Sequence, residues 1–498
     1  MNNAIILRDG KEYIHPFEAP CRLSELLAEH PVAHPCGGKG TCQKCRVKAS
    51  GVLSEPTEAE RTLDGYRLSC QSYALGDVTI TLPDTKIWRK SASAQLLSSV
   101  APIGTHYGYV IDLGTTTVSV ALYDQQSGAQ CAQIVSQNPQ ATFGADVLSR
   151  LHASIQGKRI ALSRCVQDTL SKMCTELLQM LCLKAEDVDA AVLTGNTAML
   201  YLLFGRNPSC IATAPFVCDA VFGDFYSVDF LPMRTGTKLY VPACISAFLG
   251  ADILTASIAS HLWDEDGTRL LADLGTNGEI LLQKDGKVWG CSCAAGPAFE
   301  GAGLSCGMPA VAGAIDSVKL FGGKLLTTVC ENVKPTGICG SGLVELMACL
   351  RKNHMLNSDG LLQCGERYLL DSTDVYITQN DVRSFQLSKS AIRTGIDLLM
   401  HAADVQTPSF VEIAGTFGEH LNIRSAKEIG LFPSFADCSF KSIGNAAATG
   451  AAMLLLNRDL LSTCSEKASI IQTLSLTQLP YFNDTLLENL SLSQQEAK

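Results

Sequence analysis

Four cysteines constrain the first part of this chain more than any other feature. Three lie in one loop, Cys36-Gly-Gly-Lys-Gly-Thr-Cys42-Gln-Lys-Cys45, and the fourth follows at a distance in Arg67-Leu-Ser-Cys70-Gln. Three thiolates from one tight loop plus a distant fourth is the ligand pattern of plant-type 2Fe–2S centres, there spaced C-x4-C-x2-C. Here the first gap is one residue longer. Such a loop must turn its backbone N–H groups toward negatively charged sulfur, and Gly37, Gly38 and Gly40 allow the close-approach and left-handed conformations that this requires. The rival is a zinc site, but zinc loops pair one C-x2–4-C with a second, and Cys70 has no partner nearby. A cluster of this type passes one electron at a time.

The remaining 17 of the 21 cysteines are scattered, with no spacing that suggests a disulfide framework. Cys174, Cys182, Cys244, Cys330 and Cys349 sit in apolar or helical surroundings and read as small buried hydrophobes. Cys21, ahead of a helix, reads as structural. The net charge of −10 argues against nucleic acid or an anionic membrane as the main partner. No uncharged apolar run reaches the ~18 residues of a membrane span. The opening MNNAIILRDGKEYIHPF lacks a signal peptide's apolar core, so a soluble cytoplasmic protein is expected. None of the nine histidines falls in a ligand spacing such as H-E-x-x-H.

Pattern divides the 498 residues into three. Residues 1–84 read as short strands around one helix: Ala4–Leu7, a turn at Asp9-Gly10, Tyr13–Pro16, a helix over Leu23–Leu27, then Arg46–Ala49 and the alternating Asp77–Leu82. Residues 85–106, with little periodicity, read as a linker. From 107 to about 490, strands alternate with helices, as in an α/β fold. Strands are expected at Tyr109–Leu113, Val118–Tyr123, Ala190–Thr194, Leu270–Leu274, Glu279–Gln283 and Val411–Gly415. Helices are expected at Ala145–Gln156, Arg159–Cys182, Gly342–Lys352, Ser388–Ala402 and Asn445–Asn457, with a helix-compatible, frayed tail after Asp459.

Within this third region one design occurs twice. Val110-Ile-Asp112-Leu-Gly114-Thr115-Thr116-Thr117 runs into the strand at Val118, and Leu271-Ala-Asp273-Leu-Gly275-Thr276-Asn277-Gly278-Glu279 runs into Ile280. In each, an apolar strand delivers an Asp and a Gly/Thr turn reverses the chain. Such hairpins offer N–H and hydroxyl donors to phosphate, and the Asp can hold Mg²⁺ directly or through water. Gly340, Ser341 and Gly342 open a helix whose N-terminus could receive phosphate or ribose. Gly415 and Gly418 follow a strand and would let the backbone approach a flat base. Ile443-Gly444-Asn445 begins a small-residue helix, and Thr194-Gly195-Asn196-Thr197 forms a strand-end turn. There is no Walker loop and no strand-linked G-x-G-x-x-G. Glu279 and Glu300, near glycine turns, could orient water or simply face solvent.

These motifs resemble the superfamily of acetate and sugar kinases, heat-shock chaperones and actin (ASKHA) over about residues 107–460. The resemblance implies an α/β ATPase domain of two duplicated ribonuclease-H-like halves, after an α+β β-grasp 2Fe–2S ferredoxin domain. The order of cysteine loop, linker and twin Asp-Leu-Gly-Thr hairpins is similar, over nearly the whole chain, to the reductive activators of corrinoid proteins. In that family ATP drives the one-electron reduction of cob(II)amide to cob(I)amide. By resemblance, Cys36, Cys42, Cys45 and Cys70 ligate the cluster. Asp112 and Asp273 position Mg²⁺ and water, while Gly114, Thr115, Thr116, Gly275, Thr276, Asn277, Gly278, Gly340, Ser341, Gly342, Gly415 and Gly418 line the ATP site. The implied partners are a corrinoid protein (a component of a cobalamin-dependent methyltransferase), a low-potential electron donor and a second copy of the chain. The alternatives are an ATP-gated electron-transfer adaptor or an activator of another low-potential metalloenzyme. One departure is expected: family members carry a middle domain between linker and ATPase, and here only about twenty residues separate the two.

Overall fold

The computed structural model describes residues 2–8, 11–27, 30, 32, 40, 45–61, 63, 65–82, 87–89, 96–144, 146–264, 266–370, 373–435 and 438–493. The turn expected at Asp9-Gly10 and the ligands Cys36 and Cys42 lie outside them. In the N-terminal unit the strands run in the order Lys11–Phe17, Asn2–Arg8, Tyr73–Thr81, Arg46–Leu53, Tyr66–Leu68. The first strand pairs in parallel with Tyr73–Thr81, and the one-turn helix Leu23–Leu26 lies across them. Ala4, Ile6, Leu23, Leu27, Val47, Val78 and Ile80 form its core. This is the expected β-grasp. The alternation of Val78 and Ile80 made its last strand legible, and that strand begins four residues earlier than the pattern suggested.

Residues 107–493 build two large sheets whose five central strands share one topology. In the first, Tyr107–Leu113, Thr117–Asp124 and Ala129–Gln137 form an antiparallel meander. Val188–Gly195 and then Leu239–Ala243 extend it in parallel on the other side. In the second, Arg269–Leu274, Gly278–Lys284 and Lys287–Cys293 form the meander, extended in parallel by Phe410–Ala414 and Ser439–Gly444. The duplicated halves are therefore present. The third strand of each meander was not expected, because Ala129–Gln137 and Lys287–Cys293 mix polar residues into the apolar run.

Each half has its own core. Leu162, Val166, Leu170, Met173 and Leu177, at helical spacing on Arg159–Met180, cover the first sheet. The second is covered by Gly340–Lys352 and Gln379–Ala402. The latter starts nine residues before the expected Ser388, at a capping box in which Thr378 and Asp381 bond each other's backbone N–H. Its first turns are polar, which hid them from the periodicity.

A third core joins the halves. The helix after the last strand of each half, Ala251–Ala259 and Ala446–Leu456, lies between the sheets with Val110, Val192, Leu271, Leu281 and Ala414. The helices cross so closely that a Cβ added at Gly450 would stand 1.8 Å from the carbonyl oxygen of Thr255. One at Gly108 would meet Leu455 at 2.7 Å.

Within 85–106, Ile87–Arg89 pairs with Ala129–Gln137, and the N–H groups of Val100, Ala101 and Ile103 reach the carbonyls of Leu456 and Leu455. This segment is therefore tied both to the first sheet and to the second half's joining helix. The tail is not frayed within the described residues. Gln386 and Lys389 donate to the carbonyls of Leu490 and Ser491 at 2.8 and 2.6 Å, and Asn489 bonds the buried Arg393–Asp397 pair. Cys174, Cys244 and Cys349 are buried as expected. Cys182 is exposed, because it falls just past the end of the helix Arg159–Met180 in a left-handed conformation (φ 54°).

Replacing Gly450 by Ala should lower the melting temperature by several degrees. Overpacking at backbone costs roughly 1–3 kcal/mol, against a gain of about 1 kcal/mol in helix propensity. An unchanged melting curve would mean that the two helices are free to part.

Candidate iron–sulfur and nucleotide sites

Cys45 and Cys70 are brought together in the N-terminal unit, both buried, with their Sγ atoms 3.2 Å apart and Leu63 and Leu68 around them. That is farther than the ~2.05 Å of a disulfide and close enough to share one metal centre. Burial pushes the Cys45 thiol up to about 12. A bound metal removes that difficulty, since a coordinating thiol is deprotonated outright. Gly40 is left-handed (φ 75°), and a Cβ there would press to 3.1 Å on Gln71, beside Cys70. The left-handed backbone at this position favours glycine.

Glu60 holds the Cys70 turn from below, and no motif pointed to it. Its carboxylate accepts from the N–H of Leu68 at 2.7 Å, from the Ser72 hydroxyl, and from the N–H and hydroxyl of Thr57 at 2.8 and 3.0 Å. Burial opposes its charge, but the bonds from Ser72, Thr57 and Leu68 outweigh it and hold the group below the ordinary carboxylate value.

Between the halves, the two Asp-Gly-Thr hairpins face each other. The hydroxyls of Thr116 and Thr276 are 3.4 Å apart. Each turn is closed internally: Gly114 N–H donates to the carbonyl of Thr117, and Gly275 N–H to that of Asn277, both at 3.0 Å. Behind the first hairpin Arg150 is fully buried, donating to the carbonyls of Thr115 at 2.7 Å and Gly144 at 2.9 Å. Burial lowers it to about 10. Asn196 donates to the Thr115 hydroxyl at 3.0 Å and caps the next helix through Met199 N–H. Sequence reasoning passed over Arg150, though it follows Gly144-Ala145-Asp146.

The duplication is broken at one chemically important place. Asn445, at the start of the second half's joining helix, crosses to the first half and donates to Asp112 Oδ2 at 2.8 Å. The first half's joining helix is capped by Gly250 and carries Asp252 in its first turn. After burial, the charge of Asp273 raises Asp252, and that of Asp112 raises Asp273. Opposite Asp273 on the neighbouring strand stands Glu279, where the first hairpin has Ser119 opposite Asp112. Burial first, then mutual repulsion, brings Asp252 and Asp273 to about 7 and puts Glu279 well above its usual range. Asp112 is also raised by burial, although the Asn445 bond works the other way. Glu279 is therefore buried in this cluster and does not face solvent. Asp252 was missed. Its signal was the repeat of Gly-Ala-Asp at 144–146 and 250–252. Among the described residues no three His, Cys, Asp or Glu side chains are arranged to hold a metal ion by themselves.

Glu300 bridges the hairpins, accepting from Thr116 at 2.6 Å and Thr276 at 2.8 Å. The remaining expected residues divide. Gly415 (φ 89°) approaches Asp273 so closely that a Cβ would stand 2.8 Å from its Oδ1. Gly278 packs on Ile392 and Gly418 on Ile413. Gly340 and Gly342 are buried against the carbonyls of Phe299 and Ile315, and the Ser341 hydroxyl points to the carbonyl of Asp316 at 3.3 Å. Phe417 stacks on Phe299, 4.7 Å between ring centres, joining the Gly415 segment to the Glu300 turn.

Comparison with known proteins follows this anatomy. Residues 6–75 match the 2Fe-2S iron-sulfur cluster binding domain, 107–265 the RACo middle region, and 267–498 the C-terminal domain of RACo, the ASKHA domain. The corrinoid activation enzyme RamQ of Eubacterium limosum is 33% identical over 418 residues, spanning 77% of this chain and 70% of that protein. This chain belongs to the family of reductive activators of corrinoid proteins. A further member, the [Co(II) methylated amine-specific corrinoid protein] reductase of Methanosarcina barkeri, is 23% identical over 77% of both chains. The solved reductive activator for corrinoid, iron-sulfur protein has the same fold, with a TM-score of 0.72 over 98% of both chains at 24% identity. One expectation is corrected: the family's middle region is present. It matches residues 107–265, the first of the twin sheets. Its strand–hairpin pattern copies that of the second half, so by sequence it reads as part of the ATPase.

Folded protein holds protons on Asp252 and Asp273 that the unfolded chain releases near pH 4. In nucleotide-free protein their contribution to stability is full below about pH 4 and is lost as pH rises toward about 7. Asp252→Asn should flatten that decline by a few kcal/mol, each unit of pKa being about 1.4 kcal/mol. Melting temperatures of both proteins across this range check it, and parallel curves would remove the mutual repulsion.

Proposed function

We propose that this protein uses ATP to drive one electron from a 2Fe–2S cluster into a corrinoid protein, reducing cob(II)amide to cob(I)amide. The observation that carries it is the presence, on one chain, of a buried cysteine pair in a β-grasp unit and a cleft where two Asp-Gly-Thr hairpins meet hydroxyl to hydroxyl. The relatives' names, a corrinoid activation enzyme and a corrinoid protein reductase, supply the partner.

Cys36, Cys42, Cys45 and Cys70 would hold the cluster, which supplies one-electron transfer at roughly −400 mV when of the plant type. A cobalt centre well below that potential takes the electron only with added driving force, since each ~59 mV is tenfold in a one-electron equilibrium. The cleft is where ATP would provide it. Thr115, Thr116, Thr276, Asn277 and the turn glycines Gly114, Gly275 and Gly278 offer donors to phosphate, while Gly340–Gly342, Gly415 and Gly418 flank the side where the base would lie.

Charge favours one location for Mg²⁺. Asn445 offsets Asp112, whereas Asp252, Asp273 and Glu279 crowd together without a cation. A divalent ion arriving with the phosphates would relieve that crowding, and Mg²⁺ keeps several waters and uses one or two carboxylates. Binding between the halves would bias the angle at which they meet, and the corrinoid partner would sense that angle. A homodimer, a separate low-potential donor and a cytoplasmic location complete the proposal; no helix among the described residues is long and apolar enough to cross a membrane.

The test mixes anaerobically prepared, reduced protein with a cob(II)amide-loaded corrinoid protein. ATP with Mg²⁺ should produce the cob(I) spectrum and ADP should not. Equal rates without nucleotide would refute the ATP step, and colourless protein would refute the cluster. Asp273→Asn should slow hydrolysis by roughly a hundredfold, the scale of losing several kcal/mol of charge stabilisation at a metal, with the visible absorption of the cluster unchanged.

A further inference from the structure

Glu300 stands at the end of the short turn Pro297–Glu300, bracketed by Gly296 and Gly301, both left-handed at φ 76° and 73°. The bracket is rigid. A Cβ at Gly301 would lie 2.2 Å from the carbonyl of Met308. Next to it Phe299 is buried between Phe385 and Phe417, and its carbonyl rests on Gly340. The carboxylate is thus presented by the second half from a fixed platform.

It reaches one hydroxyl in each half. Oε2 accepts from Thr116 and Oε1 from Thr276, at 2.6 and 2.8 Å, and a Cβ at Gly275 would come within 3.6 Å of Oε1. Two hydroxyls on facing phosphate-type hairpins converge on two oxygens of one anion. A phosphate group presents the same pair of acceptor oxygens with the same sign of charge. Thr116 is exposed to the cleft, so the position is open to a competitor from solvent. Behind it lies the buried Arg150, on which the Glu300 charge acts across the Thr115 turn.

We propose that Glu300 is a phosphate-mimicking latch. In the nucleotide-free chain it ties the two halves together through Thr116 and Thr276, and a phosphate of ATP displaces it by taking the same two hydroxyls. The inference rests on the nucleotide-site reading above and extends it to affinity. Binding is weakened by the cost of releasing Glu300, and the released carboxylate signals to the turn carrying Phe299, and to Phe417 stacked on it, that phosphate has arrived. Glu300 is in this sense a positioning residue for the cleft.

The experiment measures MgATP, MgADP and AMP binding by calorimetry, and kcat and KM for ATP hydrolysis, in the full chain and in Glu300→Gln. The amide keeps the shape and removes the competing charge. ATP should bind about tenfold or more tightly, the scale of one hydrogen bond to a charged group, with KM falling in step. AMP, whose single phosphate does not extend to the hairpins, should be unchanged. In a Thr116→Val background Glu300→Gln should give no further gain, because the latch has already lost its first-half contact. Unchanged or weaker ATP binding in Glu300→Gln overturns the latch, as does a lost kcat at constant KM, which would make Glu300 a water-orienting group. Failure of the parent protein to bind any adenine nucleotide would instead refute the nucleotide site itself. Cluster absorption and melting temperature, expected to match the parent, exclude misfolding as the cause.

Discussion

The two halves of the ATPase part meet through a pair of small-residue helices whose backbones nearly touch, Gly450 against the carbonyl of Thr255. Interiors packed at that density do not compress, and they transmit displacement as a whole. The distance between the sheets is consequently set by backbone thickness, not by flexible side chains. Every feature of the cleft follows from it. The strand ends that carry Asp112 and Asp273 come to face each other, the hydroxyls of Thr116 and Thr276 stand within reach of one anion, and Asn445 can cross from one half to the other. A bulkier residue at the crossing would move all of these together.

On that scaffold the chemistry is made by departures from symmetry. The five central strands of the two sheets share one topology, but the joining helix of one half starts with Asn445 and that of the other carries Asp252 in its first turn, and Ser119 in one hairpin stands where the other has Glu279. An amide beside Asp112 and two extra carboxylates beside Asp273 divide the cleft into a neutralised side and a negatively charged side. Burial and repulsion raise the carboxylates on that second side. Duplication supplied two equal phosphate hairpins, and substitution at the helix starts made them unequal. Arg150, buried behind the first hairpin on the carbonyls of Thr115 and Gly144 and the Met199 sulfur, adds a fixed positive charge on the opposite side.

Much of this was readable from residues alone. The cysteine spacing announced the β-grasp unit, since tight glycine loops between ligands leave few alternatives, and Cys45 and Cys70 do converge. The two Asp-Leu-Gly-Thr segments were visible because a strand end followed by a small-residue turn is a local pattern. What stayed hidden was non-local. Glu60 contacts residues 57 through 72 from a turn without a motif. Asp252 and Asn445 act on the half to which they do not belong. The third strand of each sheet mixes polar with apolar residues, and the first turns of Gln379–Ala402 are polar. The middle region was misread as absent because its fold repeats that of its neighbour.

By itself, the sequence determined the local pattern: four cysteines at cluster-type spacing, two Asp-Leu-Gly-Thr hairpins, and the order in which these modules follow one another. Those properties depend on residues within a few positions of one another, where spacing is geometry. The tertiary structure decided which charges meet. That Glu300 spans both hairpins, that Asp252 opposes Asp273 and that Arg150 backs Thr115 depends on residues 21 to 184 positions apart. Electrostatic energy falls with distance in space, and distance along the chain carries no information about it until packing has closed the cleft.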